Sequence, residues 1–208
     1  MQTGKPRRGA LYVIAAPSGA GKTSLVKAVL ERDPSLRVSV SHTTRKPRAN
    51  EISGDHYFFV SVDEFKRLIG AGEFLEHAQV FDNFYGTGRA QVEALRNAGH
   101  DVILEIDWQG ARQVRAAQPD CHSVFILPPS RRELEARLRN RNTDSDAVIE
   151  RRLRDCIADM SHFAEFDSVV VNDQFEVAVG QLLEILRGAH TYDPGRAELK
   201  PLVAELLA

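Results

Sequence analysis

Cysteine is scarce: Cys121 and Cys156 are the only two in 208 residues. They lie far apart, in no metal-like spacing, and two thiols cannot make a disulfide scaffold. They read as a reduced cytosolic pair of small buried side chains. Long apolar runs are missing, which excludes a membrane-spanning helix. The stretch Met1 to Gly9 is basic and polar, and the apolar run after it is too short for a signal-peptide core. Charge of one sign is missing too: 27 Lys and Arg stand against 29 Asp and Glu, a net charge of −2. That balance argues against coating nucleic acid or a membrane surface, so any phosphate binding must come from locally clustered arginines. Repeats and low-complexity tracts are absent. The expectation is a cytoplasmic protein with small-molecule partners, no nucleic acid and no membrane, and with homo-oligomerisation left open.

What is present is ordinary for a globular chain, 43% apolar and 27% charged, and long enough for one α/β domain with inserted parts. Short apolar runs alternate with amphipathic stretches, the pattern of strands and helices wound into a parallel sheet. Leu11 to Ala15 predicts a buried central strand. Leu25, Val26, Val29 and Leu30 then fall at helical spacing. Val38 to Ser41 predicts a second strand. Residues 43–98 change texture: polar turns mix with aromatics, predicting an inserted subdomain of short antiparallel strands and a helix or two. Within it Ser61 and Glu64 form a capping-box pair. The core, 1–42 and 99–190, resumes with a strand at Val102 to Ile106 and a helix at Gln109 to Ala117. A strand at Ser123 to Leu127 and a helix capped by Ser130 come next. Ile149, Leu153, Cys156, Ile157 and Met160 make one apolar stripe. Ser168 to Val171 predicts the last strand, and Phe175, Val179, Leu182, Leu183 and Leu186 the last core helix. The tail, 191–208, has turn residues and a short terminal helix at Leu199 to Leu207.

Between the first strand and the first helix stands Ala16-Pro17-Ser18-Gly19-Ala20-Gly21-Lys22-Thr23. This is the P-loop spacing, with Ala16 in place of the first glycine. Successive backbone N–H groups in such a loop point into one concavity and bind phosphate oxygens, and the helix N-terminus adds partial positive charge. Lys22 reaches the β and γ phosphates of the nucleotide, and the Thr23 hydroxyl ligates Mg²⁺. A P-loop fixes a nucleotide but no reaction. A switch GTPase would need Asn-Lys-x-Asp late in the chain, and the nearest segment, Val171-Asn172-Asp173, lacks the lysine.

Further motifs follow in order. Ser39-Val-Ser-His-Thr-Thr-Arg-Lys-Pro-Arg48 is followed by Gly54-Asp-His-Tyr57, Glu73-Phe-Leu-Glu76, Tyr85-Gly-Thr87 and Ile106-Asp-Trp-Gln-Gly110. Together with the P-loop they closely resemble the guanylate kinase family, over about Leu11 to Arg187. The residues carry suitable chemistry by themselves. Arg45 and Arg48 can hold a phosphate dianion through paired charge-assisted bonds, and Tyr57 and Tyr85 can add hydroxyl donors. The resemblance implies that these four hold the phosphate of GMP. It implies that Glu76 accepts the two guanine donors, with Ser41 and Thr87 giving hydroxyl contacts to the base. Asp107, at the end of an apolar strand, would contact the guanine amine or orient water on Mg²⁺. The chain departs from the family at Glu105, where aspartate is usual.

The resemblance also implies a lid, about 137–152, with Arg137, Arg141 and Arg152 bringing charge to the transferring phosphoryl group. Asn172 resembles a position that contacts the adenine. Arg131, Arg132, Arg139, Arg151 and Arg154 read as surface residues. The implied activity is ATP + GMP to ADP + GDP with Mg²⁺, with dGMP as a further candidate acceptor. Lys22, Arg45 and the lid arginines carry the catalysis. The rival readings are a catalytically inactive binding module of the same fold and a kinase for another acceptor such as AMP. The intact Gly21-Lys22-Thr23 argues against the first, and Glu76 with Ser41 against the second.

Overall fold

The computed structural model describes residues 7–80, 82–139, 146–189 and 192–208. β1 (Leu11–Ala15) leads into α1 (Lys22–Arg32) and β2 (Leu36–Val38). Then come β3 (His42–Thr43), β4 (Phe58–Phe59), α2 (Val62–Gly70), β5 (Phe74–Val80), β6 (Asn83–Gly88) and α3 (Arg89–Asn97). β7 (Asp101–Glu105), α4 (Trp108–Ala117), β8 (His122–Leu127), α5 (Arg131–Arg139) and α6 (Asp146–Met160) follow. β9 (Ser168–Val171), α7 (Phe175–Leu186) and α8 (Leu199–Leu207) complete the series. The strands form two sheets, ordered β2-β7-β1-β8-β9 and β4-β3-β6-β5. Contacts group the chain into two compact units, one of residues 1–13 and 35–121, the other of 14–34 and 122–208.

In the first unit β2 and β7 pair in parallel, Leu36 opposite Asp101 through Val38 opposite Ile103. Val102, Ile103 and Leu104 are sealed from solvent, which is why this strand reads as a continuous apolar run. The strand expected at Val38 to Ser41 is instead broken. Ser39 still donates its N–H to Ile103 O, but the Val40 N–H and the Ser39 hydroxyl both go to Gln91 Oε1, at 3.0 and 2.8 Å. A side-chain amide thus replaces the ladder while the chain passes from one sheet to the other.

The inserted sheet also differs from an all-antiparallel expectation. β6 runs antiparallel to β3 and β5, but β4 runs parallel to β3. The long loop between β3 and β4 makes that return possible, since a parallel pair needs a crossover. One face of this sheet packs on α2, where Phe65, Leu68 and Phe74 form an apolar cluster and the Phe65 and Phe74 rings stand 4.6 Å apart. Burying a side chain of that size contributes roughly 2 kcal/mol. Ser61 caps α2 by accepting the Glu64 N–H at 3.1 Å, but the Glu64 carboxylate turns to Arg67 and leaves the capping box half made. Arg96, 2% exposed, donates to Gly9 O and ion-pairs with Asp120.

In the second unit β8 and β9 pair in parallel from Val124 and Ser168 to Leu127 and Val171. Asp167 accepts both the N–H and the hydroxyl of Ser123, fixing the start of that ladder. Ile149, Cys156 and Met160 of α6 are buried as the stripe predicts. So are Val179, Leu182 and Leu186 of α7, whereas Phe175 at its first turn is exposed. The tail is docked: Val169 donates its N–H to Tyr192 O, and Leu199 and Leu206 of α8 are buried. No described helix is long and apolar enough to cross a membrane.

Candidate active site

The donor-side residues all belong to the second unit. The loop from Ala16 to Gly21 joins β1 to α1 and is held by unlike devices. Gly19 and Gly21 take positive φ, 88° and 93°, a region that side chains disfavour. Gly21 stands as the N-cap of α1. A Cβ there would lie 2.3 Å from Asn172 Nδ2. Asn172 itself is 5% exposed and donates from that amide to Ala20 O at 2.8 Å. The residue expected to contact adenine thus also ties down the loop between β1 and α1. Cys156 of α6 adds a second brace, its Sγ donating to Ser18 O at 3.3 Å. Burial pushes the Cys156 thiol up to about 12.

Lys22 and Thr23 open α1, where backbone N–H groups and the helix dipole favour anions. Arg137, on α5, is anchored by Glu133 at 2.9 Å and donates to Asn172 O, and its Nη1 comes within 4.0 Å of where a Gly21 Cβ would stand. Arg152 is half-buried one helical turn before Cys156 on α6. Arg141 lies outside the described residues. Among the described residues no three His, Cys, Asp or Glu side chains gather to hold a metal. The Thr23 hydroxyl, expected to meet Mg²⁺, stands in the first turn of α1, and Mg²⁺ commonly takes most of its ligands from phosphate and water.

The acceptor-side residues belong to the first unit. Glu76 is 3% exposed, and Thr87, fully buried, donates its hydroxyl to Glu76 Oε1 at 2.6 Å. Gly110 makes room for the other oxygen: a Cβ on it would lie 2.5 Å from Glu76 Oε2. A register shift between Phe74 and Glu76 decides where this carboxylate points. Strict alternation would put Phe74 and Glu76 on one face. The bulge lets Phe74 face Gly88 and the apolar cluster, while Glu76 faces with Thr87, Tyr85 and Thr43.

Thr43 and Thr44 fix the strand end before Arg45. Thr43 Oγ1 donates to Phe84 O and accepts the Arg45 N–H, and Thr44 Oγ1 accepts the Phe84 N–H. The Arg45 guanidinium lies 5.4 Å over the Tyr57 ring and 5.7 Å from that of Phe59, and the Tyr57 and Tyr85 rings are 6.0 Å apart. Arg45 meets Glu51 through two bonds of 2.8 and 2.9 Å. Glu51 above all, with Tyr85 adding, holds the guanidinium charged against its partial burial. In return Arg45 draws the Glu51 carboxyl down to about 2, and the Arg48 N–H assists at 2.7 Å. Burial raises the Tyr57 phenol, with Tyr85 and Glu105 adding, and Arg45 opposes.

Arg45, Tyr57 and Tyr85 thus come together, and Glu76 and Thr87 form a second group on the same sheet face. Ser41, half-buried, stands just before β3. The Arg48 side chain is 74% exposed, its Nη1 4.0 Å from Glu51. Asp107 caps α4, with Oδ1 accepting the Gly110 N–H at 2.7 Å. Two contributors escaped the sequence reading. Glu51 shares a polar loop with Arg45, its closest charge partner six residues before it, and no regular spacing in a loop marks such a pair. Gly110 carried no signal beyond its place in the motif.

Comparison with known proteins shows the family. The guanylate kinase family model matches residues 8–189. A guanylate kinase of Chromohalobacter salexigens is 55% identical over 204 residues, 98% of this chain and 95% of that protein. One from Methylococcus capsulatus is 54% identical, covering 96% and 98%. The crystal structure of guanylate kinase from Anaplasma phagocytophilum superposes with a TM-score of 0.74 at 33% identity over 95% of each chain.

Proposed function

This chain belongs to the guanylate kinase family, an ATP:GMP phosphotransferase by that membership, and we propose how its residues divide the work. The observation that carries the reading is Glu76: a carboxylate 3% exposed, whose Oε1 accepts the Thr87 hydroxyl and whose Oε2 lies in a gap that only glycine at 110 leaves. An ionised carboxylate offers two acceptor oxygens side by side. The N1–H and exocyclic amine of guanine supply two donors to one carboxylate, and adenine does not. Sites built on such a polar pairing reject the wrong base by roughly 10⁴-fold. Thr87 aims Glu76, Ser41 adds a hydroxyl, and Asp107 stands at the start of α4 for the guanine amine or a water.

Arg45 and Arg48 bind the acceptor phosphate, and Tyr57 and Tyr85 add hydroxyl donors. The acceptor subdomain spans 43–98. The loop amides from Ala16 to Thr23 cradle the ATP phosphates, with Lys22 on the β and γ groups and Asn172 holding the loop in shape. Thr23 would hold Mg²⁺ together with the substrate phosphates, and the ion would supply charge neutralisation there. A GMP phosphate oxygen attacks the γ phosphorus as the bond to the β–γ bridging oxygen breaks, and ADP leaves. No general base is required, because the acceptor is already anionic at neutral pH. Lys22, Arg45 and the lid arginines Arg137, Arg141 and Arg152 stabilise the moving phosphoryl charge, and lid closure over 137–152 excludes water. We place this work in the cytoplasm.

An acceptor screen tests the reading. With ATP and Mg²⁺, GMP and then dGMP should be phosphorylated and AMP, UMP and CMP left alone. Glu76→Gln should lower kcat/KM for GMP on the order of 100-fold. Equal turnover of AMP and GMP would overturn the specificity assignment.

A further inference from the structure

Glu51 lies outside every role given so far, yet it makes the closest charged contacts in the acceptor loop. A guanidinium has five N–H groups on two edges that can each grip an oxyanion. In Arg45 the end-on edge is taken: Nη1 donates to Glu51 Oε2 at 2.9 Å and Nη2 to Glu51 Oε1 at 2.8 Å. The other Nη1 hydrogen goes to Lys46 O at 2.8 Å. The Nε–H and the second Nη2–H make up the side-on edge, and neither is given to Glu51 or Lys46; the guanidinium also interacts with the hydroxyl of Tyr85, itself assigned to the same phosphate.

The loop holds Glu51 as firmly as Glu51 holds Arg45. Its Oε2 accepts the Arg48 N–H at 2.7 Å, and its own N–H donates to Arg48 O. Its side chain is 13% exposed, against 18% for that of Arg45. The carboxylate therefore ties the backbone of one arginine to the side chain of the other.

We propose that Glu51 is a positioning residue for phosphoryl acceptance: by occupying the end-on edge of Arg45 it fixes the guanidinium plane and leaves the side-on edge for the acceptor's phosphate. This rests on Arg45 being a phosphate ligand, as set out above. The opposite role would make Glu51 a competitor, a carboxylate sitting in the phosphate's own seat. The two differ in sign. Removing a competing anion tightens GMP. Removing a positioning anion loosens GMP, even though one negative charge near a phosphate has gone.

The test is steady-state kinetics of Glu51→Gln and Glu51→Asp with GMP varied at saturating ATP, then the reverse, with thermal melts to confirm folding. Guanosine serves as a competitive probe that lacks the phosphate. The expected result is a GMP KM raised about tenfold in Glu51→Gln, less in Glu51→Asp, with the ATP KM and the guanosine inhibition constant unchanged. An unchanged or lowered GMP KM in a folded variant overturns the proposal, and so does a parallel loss of guanosine binding. Should Glu51→Gln fail to fold, Glu51→Asp is judged by the same outcomes. Arg45→Ala separates the two layers: if it too leaves the GMP KM unchanged, the phosphate role of Arg45 fails, and with it the premise for Glu51.

Discussion

The hydroxyl of Thr87 donates to Glu76 Oε1 at 2.6 Å, across the β5–β6 pair that also places these two residues opposite one another. Both are buried. The contact leaves the second carboxylate oxygen beside Gly110, and the position of that oxygen depends on what Gly110 lacks.

Gly110→Ala should therefore impair acceptor binding without touching the donor side. The added methyl would meet Glu76 Oε2 at 2.5 Å, and overpacking of this kind typically costs about 1–3 kcal/mol. The GMP KM should rise about tenfold or more, with the ATP KM unchanged. Initial-rate kinetics with each substrate varied decides it. A GMP KM equal to wild type would mean that Glu76 yields freely.

Lys22→Ala should separate chemistry from acceptor binding. Loss of one preorganised charge on the moving phosphoryl group lowers kcat by on the order of 10²–10³. GMP affinity, read by calorimetry on the folded variant, should stay within about twofold of wild type. A large loss of GMP affinity would contradict this division of labour.

The Arg45–Glu51 pair should appear in acid unfolding. The folded-state carboxyl of Glu51 lies near 2, against an ordinary value of 4.5. A depressed carboxyl stabilises the fold fully above its ordinary value and loses that contribution as pH falls toward the folded value. Urea unfolding of wild type and Glu51→Gln should thus show a constant stability gap above about pH 5, closing as pH falls from about 4.5 toward about 2. A gap that persists undiminished to the acid end would show that the pair is not its source.

Cys156 should resist alkylation while the protein stays folded. Its thiol is buried and pushed up to about 12, so little thiolate forms near neutrality. Iodoacetamide at about pH 8 followed by mass spectrometry should modify half-buried Cys121 well before Cys156. Reaction at Cys156 then reports opening of the contact with Ser18. Equal rates at the two cysteines would count against this.

Much of this was legible in the sequence, and for definite reasons. The strands at Leu11 to Ala15 and Ser168 to Val171 were read where they stand, because buried parallel strands are written as unbroken apolar runs. The shape of the loop from Ala16 to Gly21 was legible because its motif sets glycines at fixed spacing, and Gly19 and Gly21 take the positive φ that the spacing anticipates. The candidate site residues could be nominated from sequence because each motif is local.

Other features were decided only when distant segments met. Which face Glu76 occupies depends on a bulge that no alternation of residue types announces. That Asn172 braces Ala20, Gln91 replaces a strand ladder at Val40, and Gly110 shelters a carboxylate are facts about pairs remote in the chain. The sequence by itself determined the elements and the chemical inventory, since both follow from periodicity and short-range spacing. The tertiary structure decided which way each group points and what holds it there, because hydrogen bonds and steric gaps between remote residues leave no periodic trace along the chain.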